Sequence, residues 1–538
     1  MENSPDKRRW LGLVVISVAV SLIIVDSTIV NVAIPAVVDD LDITSTQVQW
    51  VQESYTLVFA ALLLVFGTIA DRIGRRRMLI LGVIIFGASS VLAALAGSGE
   101  LLIASRVVQG VGGAMILPTT LSLVNANFTG RERGIAFAIW GSTIGGMAAV
   151  GPLLGGWLTT AFSWRWAFGI NVPLGIIIII GALLWVRESK APQPGRLDLV
   201  GAALSVVLFT SFVFGLIEGR TFGWWESEKV PDFWTLGISP IPFVFALSLV
   251  ALVAFIAWGL HRQKQGKSTM IAFSLFRLTS FRNGNITALL VSLGEFGIIL
   301  SLPLWLQNAL GYDALHVGFL LLTLAGGSFL ASGAAGSMVG KVAPVWTVRM
   351  GLLSEIIGLG ILAAFISLDA QWWQLGIGLA VYGFGVGLAT AQLTGVILAD
   401  VPIEQSGQAS GTQSTSRQVG SALGIAILGT VLFGSLGASL DAKLPDSLPA
   451  ETRTEIVDVV VDSAGAAIPG LEQQSPIVAQ IAREAFTDAA RWNAITAMGF
   501  LVVGLLATLS LGASATRRDG AATTPPETEP AASSSSSR

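Results

Sequence analysis

Charged side chains inside apolar stretches are the residues of this sequence most able to do chemistry. Asp26, Glu53 and Arg106 interrupt apolar stretches near the start of the chain, and Glu295 and Glu355 interrupt two later ones. Burial favours the neutral form of a carboxyl group, whereas a nearby cation favours its charged form. These residues could therefore bind and release protons, or they could form ion pairs that only hold helices together.

The stretches that carry these charges are long enough to cross a membrane. The chain has 538 residues, of which 53% are hydrophobic and only 12% are charged, and its mean hydropathy is +0.73. About 25% of the residues in an ordinary soluble protein are charged, and a helical span needs about 20 apolar residues. The sequence therefore predicts an all-α integral membrane protein of many helices.

Fourteen stretches qualify as spans, and the distribution of basic residues supports an even number. With the N-terminus inside, most of the 31 lysines and arginines fall in inner segments, as cytoplasmic loops require. We therefore expect a multi-pass membrane protein with both termini cytoplasmic. The expected spans are 10–34, 47–70, 78–97, 100–124, 135–158, 166–186, 198–218, 241–260, 284–306, 317–339, 346–368, 375–398, 417–438 and 492–513.

A weak internal repeat indicates how these spans are grouped. GTIADRIG (67–74) and GSMVGKVA (336–343) each place a basic residue five positions after a glycine. Repeated six-helix units are one plan of helical membrane proteins, so we expect two six-helix bundles plus two inserted helices. The expected domains are a first bundle (1–190), a linker with two extra spans and a basic inner connector (191–283), a second bundle (284–513) with a long outer loop (439–490), and a disordered cytoplasmic tail (514–538).

The composition argues against several other classes of protein. The chain has no cysteine and only two histidines, His261 and His316, which argues against thiol catalysis and a metal site. Its net charge of −3 does not suggest a nucleic-acid partner. QGKST (265–269) lacks the preceding glycine of a phosphate-binding loop, because His261 stands there. We expect neither an enzyme nor a cofactor.

The segment GTIADRIGRRRM (67–78) contains more than topology requires. Arginines keep a short loop inside, but this does not account for Gly67, Asp71 or Gly74. Glycines allow helix ends to approach closely, and Asp71 can pair with an arginine or with a helix N-terminus. In this segment the sequence resembles the major facilitator superfamily.

Further motifs extend the resemblance over residues 10–513. LIASRVVQGVGGA (102–114) is similar to the fourth-helix motif of the superfamily, and GPLLGG (151–156) to the fifth-helix motif of its antiporters. WRWAFGINVP (164–173) and VDSTIVNVAIP (25–35) resemble signatures of its fourteen-helix drug:proton antiporters. The second copy of the loop motif has Gly340 in place of the aspartate, so the second half is not expected to lock as the first does.

The resemblance implies roles for two groups of residues. One group would form a conformational gate: Gly67, Asp71, Arg72, Gly74 and Arg75. The other would let a kinked, closely packed fifth helix seal one side of the molecule: Gly151, Pro152, Gly155 and Gly156.

The buried charges then become candidates for proton coupling. Asp26, Glu53 and Arg106 lie at similar depths, about 9–12 Å below the outer helix ends. We expect Asp26 and Glu53 to exchange protons under the influence of Arg106, although the three could instead only join helices. Glu295 and Glu355 are further candidates, for protons or for a cationic substrate, and each could instead be a protonated, hydrogen-bonded acid.

The sequence says less about the substrate. Asn31, Gln109, Trp305 and Gln307 are weak candidates for substrate binding, and Trp305 fits an interfacial aromatic belt better. The resemblance implies a proton-driven monomeric antiporter of the bacterial inner (plasma) membrane, and we expect it to export drugs or other lipophilic, cationic compounds through the bilayer. The alternatives are an exporter of an endogenous lipid, metabolite or antibiotic, and a membrane sensor or scaffold that transports nothing.

Overall fold

The computed structural model describes residues 7–191, 196–227, 230, 234–338 and 340–511. Within these ranges it leaves aside the side chains at 31, 35, 45, 46, 145, 148, 149, 296, 297, 299, 300, 314, 332 and 391. The expected tail at 514–538 therefore lies outside the described residues.

The described residues form seventeen α-helices, joined mostly by short turns. Short 3₁₀ turns at Phe273–Arg277, Ile403–Gln405 and Thr508–Ser510 adjoin α10, α14 and α17. In chain order the helices are α1 (Lys7–Leu41), α2 (Ser45–Ile73), α3 (Arg75–Ala94), α4 (Gly99–Asn127), α5 (Gly130–Ala161), α6 (Arg165–Gly169), α7 (Asn171–Trp185), α8 (Leu199–Glu218), α9 (Ile241–Lys264), α10 (Thr279–Asn308), α11 (Ala314–Met338), α12 (Pro344–Phe365), α13 (Trp372–Ile397), α14 (Ser406–Lys443), α15 (Ala450–Asp462), α16 (Ile468–Gln474) and α17 (Pro476–Ala507).

Twelve stretches of the described residues are long and apolar enough to cross a membrane. They comprise α1 to α4, α6 with α7, α8, α9, α11 to α14, and α17. The chain is therefore a multi-pass membrane protein. Two further long helices, α5 with 32 residues and α10 with 30, occupy the expected spans 135–158 and 284–306 but are not among the twelve.

The helix that contains the expected span 417–438 is longer than predicted at both ends. Helix α14 begins eleven residues earlier, at Ser406, and continues to Lys443. The added first turns are rich in serine, threonine and glutamine, so hydropathy does not reveal them. Their hydroxyl groups bond within the helix, as when Thr412 and Thr415 donate to the carbonyls four residues before them. Arg417, which we expected at the inner end of the span, consequently lies inside α14.

The expected outer loop at 439–490 is largely helical. It contains the end of α14, the helices α15 and α16, and the first half of α17. The amphipathic stretch at 477–490 is thus the beginning of the last span, and α17 starts sixteen residues before the expected position. Its alanines, including Ala479, Ala482 and Ala485, are fully buried, so this part of the helix packs against protein.

The helices pack as two groups with an inserted pair. We call α1–α7 the first half, and α10–α14 with α17 the second half. In the first half α1 packs on α5 and α7, and α4 packs on α2 and α3; in the second half α10 packs on α14 and α17, and α12 packs on α13. Helices α8 and α9 pack on each other, and α8 also contacts α2 and α14. The halves meet where α2 and α4 contact α14 and where α5 contacts α11 and α13.

Candidate functional site

Asp26 of α1 is the centre of a buried polar cluster in the first half. Its Oδ2 atom lies 2.7 Å from Nη1 of Arg106 on α4, and the two residues are 0% and 2% exposed. Its Oδ1 atom accepts hydrogen bonds of 2.7 Å from Nε2 of Gln109 and from Nδ2 of Asn171. Asp26, Arg106, Gln109 and Asn171 are hereafter the first-half cluster.

The guanidinium group of Arg106 is also well supplied with partners. It donates to the Val51 carbonyl at 3.1 Å and to Oε1 of Gln109 at 2.5 Å. It lies 4.3 Å from the centre of the Tyr55 ring, a cation–π contact. The cluster thus ties α1, α2, α4 and α7 together through charge-assisted hydrogen bonds, which are stronger than neutral ones.

Glu53 is not part of this cluster, contrary to expectation. Helix α2 presents Val51 and Tyr55 to Arg106, and Glu53 lies two residues from each of them. Two residues turn a helix by about 200°, so Glu53 points to the opposite side. Similar depth in the membrane therefore did not mean a shared location.

Glu53 instead faces the inserted helix α8. Its Oε1 atom accepts a 2.8 Å hydrogen bond from Gln49, whose side chain also donates to Thr221 at 3.4 Å. The Glu53 carboxyl group interacts with that of Glu218, which is 2% exposed at the end of α8. Glu218 was not among the predicted site residues, because it stands at the end of its predicted span.

The second half buries a different constellation, which we call the second-half cluster: Glu295, Glu355 and Arg417. Arg417 Nη2 of α14 lies 3.3 Å from Oε2 of Glu295 on α10. Thr390 of α13 donates to Oε1 of Glu295 at 3.4 Å. Arg417 is a further largely buried arginine, besides Arg106, that was not among the predicted site residues: its side chain is only 17% exposed and pairs with Glu295.

Glu355 of α12 has no such support. It is 0% exposed, and neither carboxyl oxygen has a hydrogen-bond partner among the described residues. Its electrostatic neighbours are Glu295 and Arg417. It is thus a buried acid beside an ion pair that does not include it.

Asp71 joins the two halves at one end of the molecule. Its Oδ1 atom accepts hydrogen bonds from Nη2 of Arg75 at 2.7 Å and from the Gly407 amide at 2.8 Å. Its Oδ2 atom accepts from the Gln408 amide at 3.0 Å. The carboxylate therefore binds an arginine of its own half and the N-terminus of α14, where helix dipoles favour a negative charge.

The residues around Asp71 allow this close contact. A Cβ atom on Gly67 would lie 2.6 Å from the Gly407 carbonyl oxygen, so α2 and α14 could not cross so closely with any larger residue. Arg75 also donates to the Ile403 carbonyl at 2.7 Å, which is a second link between the halves. Gly74 has a φ of 111°, a backbone conformation that residues other than glycine rarely adopt.

Arg72 lies on α2, and the fifth-helix motif lies on α5. Arg72 interacts with the charges of Asp71, Asp198 and Arg262. The expected motif residues Gly151, Pro152, Gly155 and Gly156 all lie within α5.

The glycines of α5 face α1 near Asp26. A Cβ atom on Gly155 would lie 3.0 Å from the Ile29 carbonyl oxygen, and one on Gly151 would clash with Thr28. One on Gly156 would lie 4.0 Å from Val32, so that position is less crowded. The motif therefore packs α5 directly against the helix that carries Asp26.

The weak substrate candidates whose side chains are described have separate partners. Gln109 belongs to the first-half cluster, and the side chain of Asn31 lies outside the description. Trp305 is 0% exposed and donates to Thr487 at 3.0 Å, so it is a core residue and not part of an interfacial belt. Gln307 is exposed and bonds to Pro303 in its own helix.

Comparisons with known proteins agree with this architecture. The sequence profile of the Major Facilitator Superfamily matches residues 16–425. A probable actinorhodin transporter of Streptomyces coelicolor is 35% identical over 430 residues, which cover 77% of this chain and 71% of that protein. The multidrug resistance protein Stp of Mycobacterium tuberculosis is 30% identical over 417 residues, with coverage of 77% and 74%.

A solved structure supports the same fold. The crystal structure of the human organic anion transporter MFSD10 superposes with a TM-score of 0.60 and covers 94% of this chain and 100% of its own. At 14% identity, this likeness concerns the fold alone. The profile match and the identity to the two bacterial relatives decide the family. The chain therefore belongs to the major facilitator superfamily, among its drug-efflux transporters.

Proposed function

We propose that this protein is a proton-coupled antiporter that exports drugs or other lipophilic, cationic compounds by alternating access. The observation that carries the proposal is the presence of buried, ionisable clusters in both halves of a chain whose relatives are named as transporters and drug-resistance proteins. Ionisable groups inside membrane spans are energetically unfavourable, and they commonly mark substrate, ion or proton pathways.

The proposed topology has fourteen spans, with α5 and α10 added to the twelve apolar stretches. Both helices are long enough to cross about 30 Å of hydrocarbon. Both termini would be cytoplasmic in a bacterial inner membrane, and the domains would be 1–190, 191–283 and 284–513. The protein would work as a monomer, and the proton gradient would take the place of a cofactor.

The contact around Asp71 would be the cytoplasmic gate. The hydrogen bonds from Gly407 and Gln408 and the crossing at Gly67 join the halves at that end. This arrangement fits a state that is closed to the cytoplasm. Opening would require Asp71 to release the N-terminus of α14, and Arg75 would remain to neutralise it.

The buried carboxylates would couple this movement to protons. The candidates are Asp26 and Glu53 in the first half, with Arg106 as a modulating charge, and Glu295 and Glu355 in the second half. A gradient of one pH unit is equivalent to about 1.4 kcal/mol per proton, which can support a roughly tenfold substrate gradient in a one-for-one exchange.

A transport assay in liposomes tests this proposal. Purified protein would be reconstituted with an imposed pH gradient, and the movement of ethidium, a fluorescent lipophilic cation, would be followed. We expect movement that depends on the gradient and disappears when an ionophore dissipates it. A protein that moves neither ethidium nor protons would contradict the proposal and favour a sensor or scaffold.

A second candidate substrate class follows from one relative. That relative is named a probable actinorhodin transporter, so export of an endogenous antibiotic or other metabolite is the alternative. Proton movement that is triggered by such a compound, but not by ethidium, would favour this alternative.

A further inference from the structure

We propose that Glu355 exchanges one proton for one monovalent cationic substrate, so that transport is electroneutral. This inference rests on the proposed function and identifies its proton-carrying residue and its stoichiometry. It depends on the geometry of the second-half cluster and on the balance of charge within it.

The carboxyl group of Glu355 is enclosed by protein in this conformation. The residue is 0% exposed, and both carboxyl oxygens are buried without a hydrogen-bond partner among the described residues. An ionised carboxylate in such a place would be highly unfavourable, because nothing replaces its hydration. Glu355 therefore carries a proton while the molecule holds this conformation.

The packing of α13 keeps the site dry. Gly385 lies directly against Glu355, such that a Cβ atom there would be 2.6 Å from Cγ of the glutamate. Because both carboxyl oxygens are buried, water could reach them only after the surrounding helices moved. Proton exchange is thus restricted to a different conformation, as alternating access requires.

No charged group among the described residues forms a hydrogen bond with Glu355; Arg417 acts on it only through its charge, and the charge of Glu295 opposes that effect. Arg417 of α14 is bonded to Glu295 of α10 at 3.3 Å. The hydroxyl group of Tyr382, on α13, donates to the backbone carbonyl of Glu295 at 3.4 Å.

The remaining charges near α12 are engaged at its ends. Arg349, near the start of α12, donates to Thr508 in the turn after α17. Arg491 of α17 donates to the carbonyl of Ile366, the residue that follows α12. Arg349 lies six residues from Glu355, about 9 Å along the helix, and Ile366 lies eleven residues from it, about 16 Å. Neither arginine can therefore neutralise Glu355.

The charge balance then sets the stoichiometry. Ionised Glu295 and protonated Arg417 cancel, so the cluster is neutral while Glu355 holds its proton. When the O–H bond of Glu355 breaks, the proton leaves to water, the electron pair stays on the carboxylate, and the cluster carries one negative charge. A monovalent cation restores neutrality, and the reverse exchange expels it. Each cycle then moves no net charge, because one positive charge replaces another.

The test uses proteoliposomes loaded with ethidium, in which valinomycin and potassium set the membrane potential independently of the pH gradient. Transport of one net charge through about 100 mV would shift ethidium accumulation roughly 40-fold. We expect the pH gradient to drive ethidium movement and the potential to change its accumulation less than about twofold. A shift near 40-fold would overturn electroneutral exchange while leaving proton-coupled export intact.

Variants then test the residue. Glu355→Gln should lower both movement driven by the pH gradient and ethidium–ethidium exchange at least about tenfold, because a neutral amide mimics the protonated acid and can neither release a proton nor neutralise a bound cation. Glu455→Gln, the same change at an exposed position of α15, is the matched control. Coupled transport in Glu355→Gln at the control rate would overturn the assignment of Glu355 as the proton carrier. It would leave proton-coupled export itself intact.

A further test uses only wild-type protein, so misfolding of a variant cannot affect it. Adding ethidium to purified protein in weakly buffered detergent should release one proton for each ethidium bound. Binding without proton release would overturn the inference. Absence of ethidium movement and binding in wild type would contradict the proposed cationic substrate as well.

Discussion

The two halves of the molecule bury their carboxylates in opposite ways. In the first half, Asp26 accepts hydrogen bonds from Arg106, Gln109 and Asn171 at 2.7 Å each. In the second half, Glu355 has no hydrogen-bond partner among the described residues. Donors stabilise the ionised form, whereas their absence in a dry site stabilises the neutral form. Burial alone therefore does not identify a proton carrier, because the donors around the carboxyl group decide its charge.

This difference separates structural from functional roles more clearly than depth in the membrane does. The first-half cluster joins several helices and supplies hydrogen-bond donors to both carboxyl oxygens of Asp26. In the second-half cluster the ion pair is longer, 3.3 Å against 2.7 Å. Its other acid, Glu355, has no hydrogen-bond partner among the described residues. We infer that the first half supplies a rigid frame, while the second half supplies the titrating group.

The largest expected effect is on the first-half cluster. Asp26→Ala should lower the free energy of unfolding by about 3–5 kcal/mol, because it leaves Arg106 charged and buried without its counter-ion. Glu355→Gln should lower it by less than about 1 kcal/mol, since an uncharged group replaces an uncharged group. Thermal unfolding in detergent would compare the two variants. Equal losses of stability would remove the distinction between the halves.

The next effect concerns Arg417. Arg417→Gln should destabilise the protein by about 2–3 kcal/mol, less than Asp26→Ala, because its contact with Glu295 is longer and Arg417 is less buried. The double variant with Glu295→Gln should recover most of this loss, which a double-mutant cycle measures. Additive losses would show that the pair does not interact.

A third prediction concerns the gate. Gly407→Ala should slow ethidium transport about tenfold, because the added methyl group would press on the Gly67 carbonyl and on Asp71. The chain has no cysteine, so a single Ser410→Cys would report access from the Asp71 end without background labelling. Labelling should rise in the Gly407→Ala variant. Unchanged labelling and transport would mean that this crossing is not the gate.

The smallest expected effect lies at the inserted helix. Glu218→Gln should change stability by less than about 1 kcal/mol, and in the stabilising direction, because it removes the like-charge repulsion that Glu218 exerts on Glu53. Thr221→Val, which removes the bond from Gln49, is the control that should weaken the contact slightly. A loss above about 2 kcal/mol in Glu218→Gln would show that this pair holds α8 in place.

The sequence could predict the spans and some of the partners, for reasons that are physical. Apolar stretches define helices, and the depth of a charge follows from helical rise, so Asp26 and Arg106 could be matched across two helices. Depth alone does not fix which face of a helix a residue occupies once several neighbours surround it. Glu53 was for this reason assigned to the wrong cluster.

Other features could not be predicted, because they depend on polar helix turns or on contacts between residues that are far apart in the chain. Arg417 was missed since the first turns of α14 look like a loop by hydropathy, and their burial depends on contacts with α2 and α4. Asn171 stands in a quoted motif, but its bond to Asp26 spans 145 positions of the chain. Neither contact can be derived from local pattern.

The most direct test of the account is proton release on substrate binding, measured in purified wild type, in Glu355→Gln and in the double variant Asp26→Asn/Arg106→Gln. The double variant removes both charges of the first-half pair together, so that no buried charge is left unpaired. The account predicts one proton per ethidium bound in wild type and in the double variant, and none in Glu355→Gln. Release that survives in Glu355→Gln and disappears in the double variant would contradict it and assign proton coupling to Asp26.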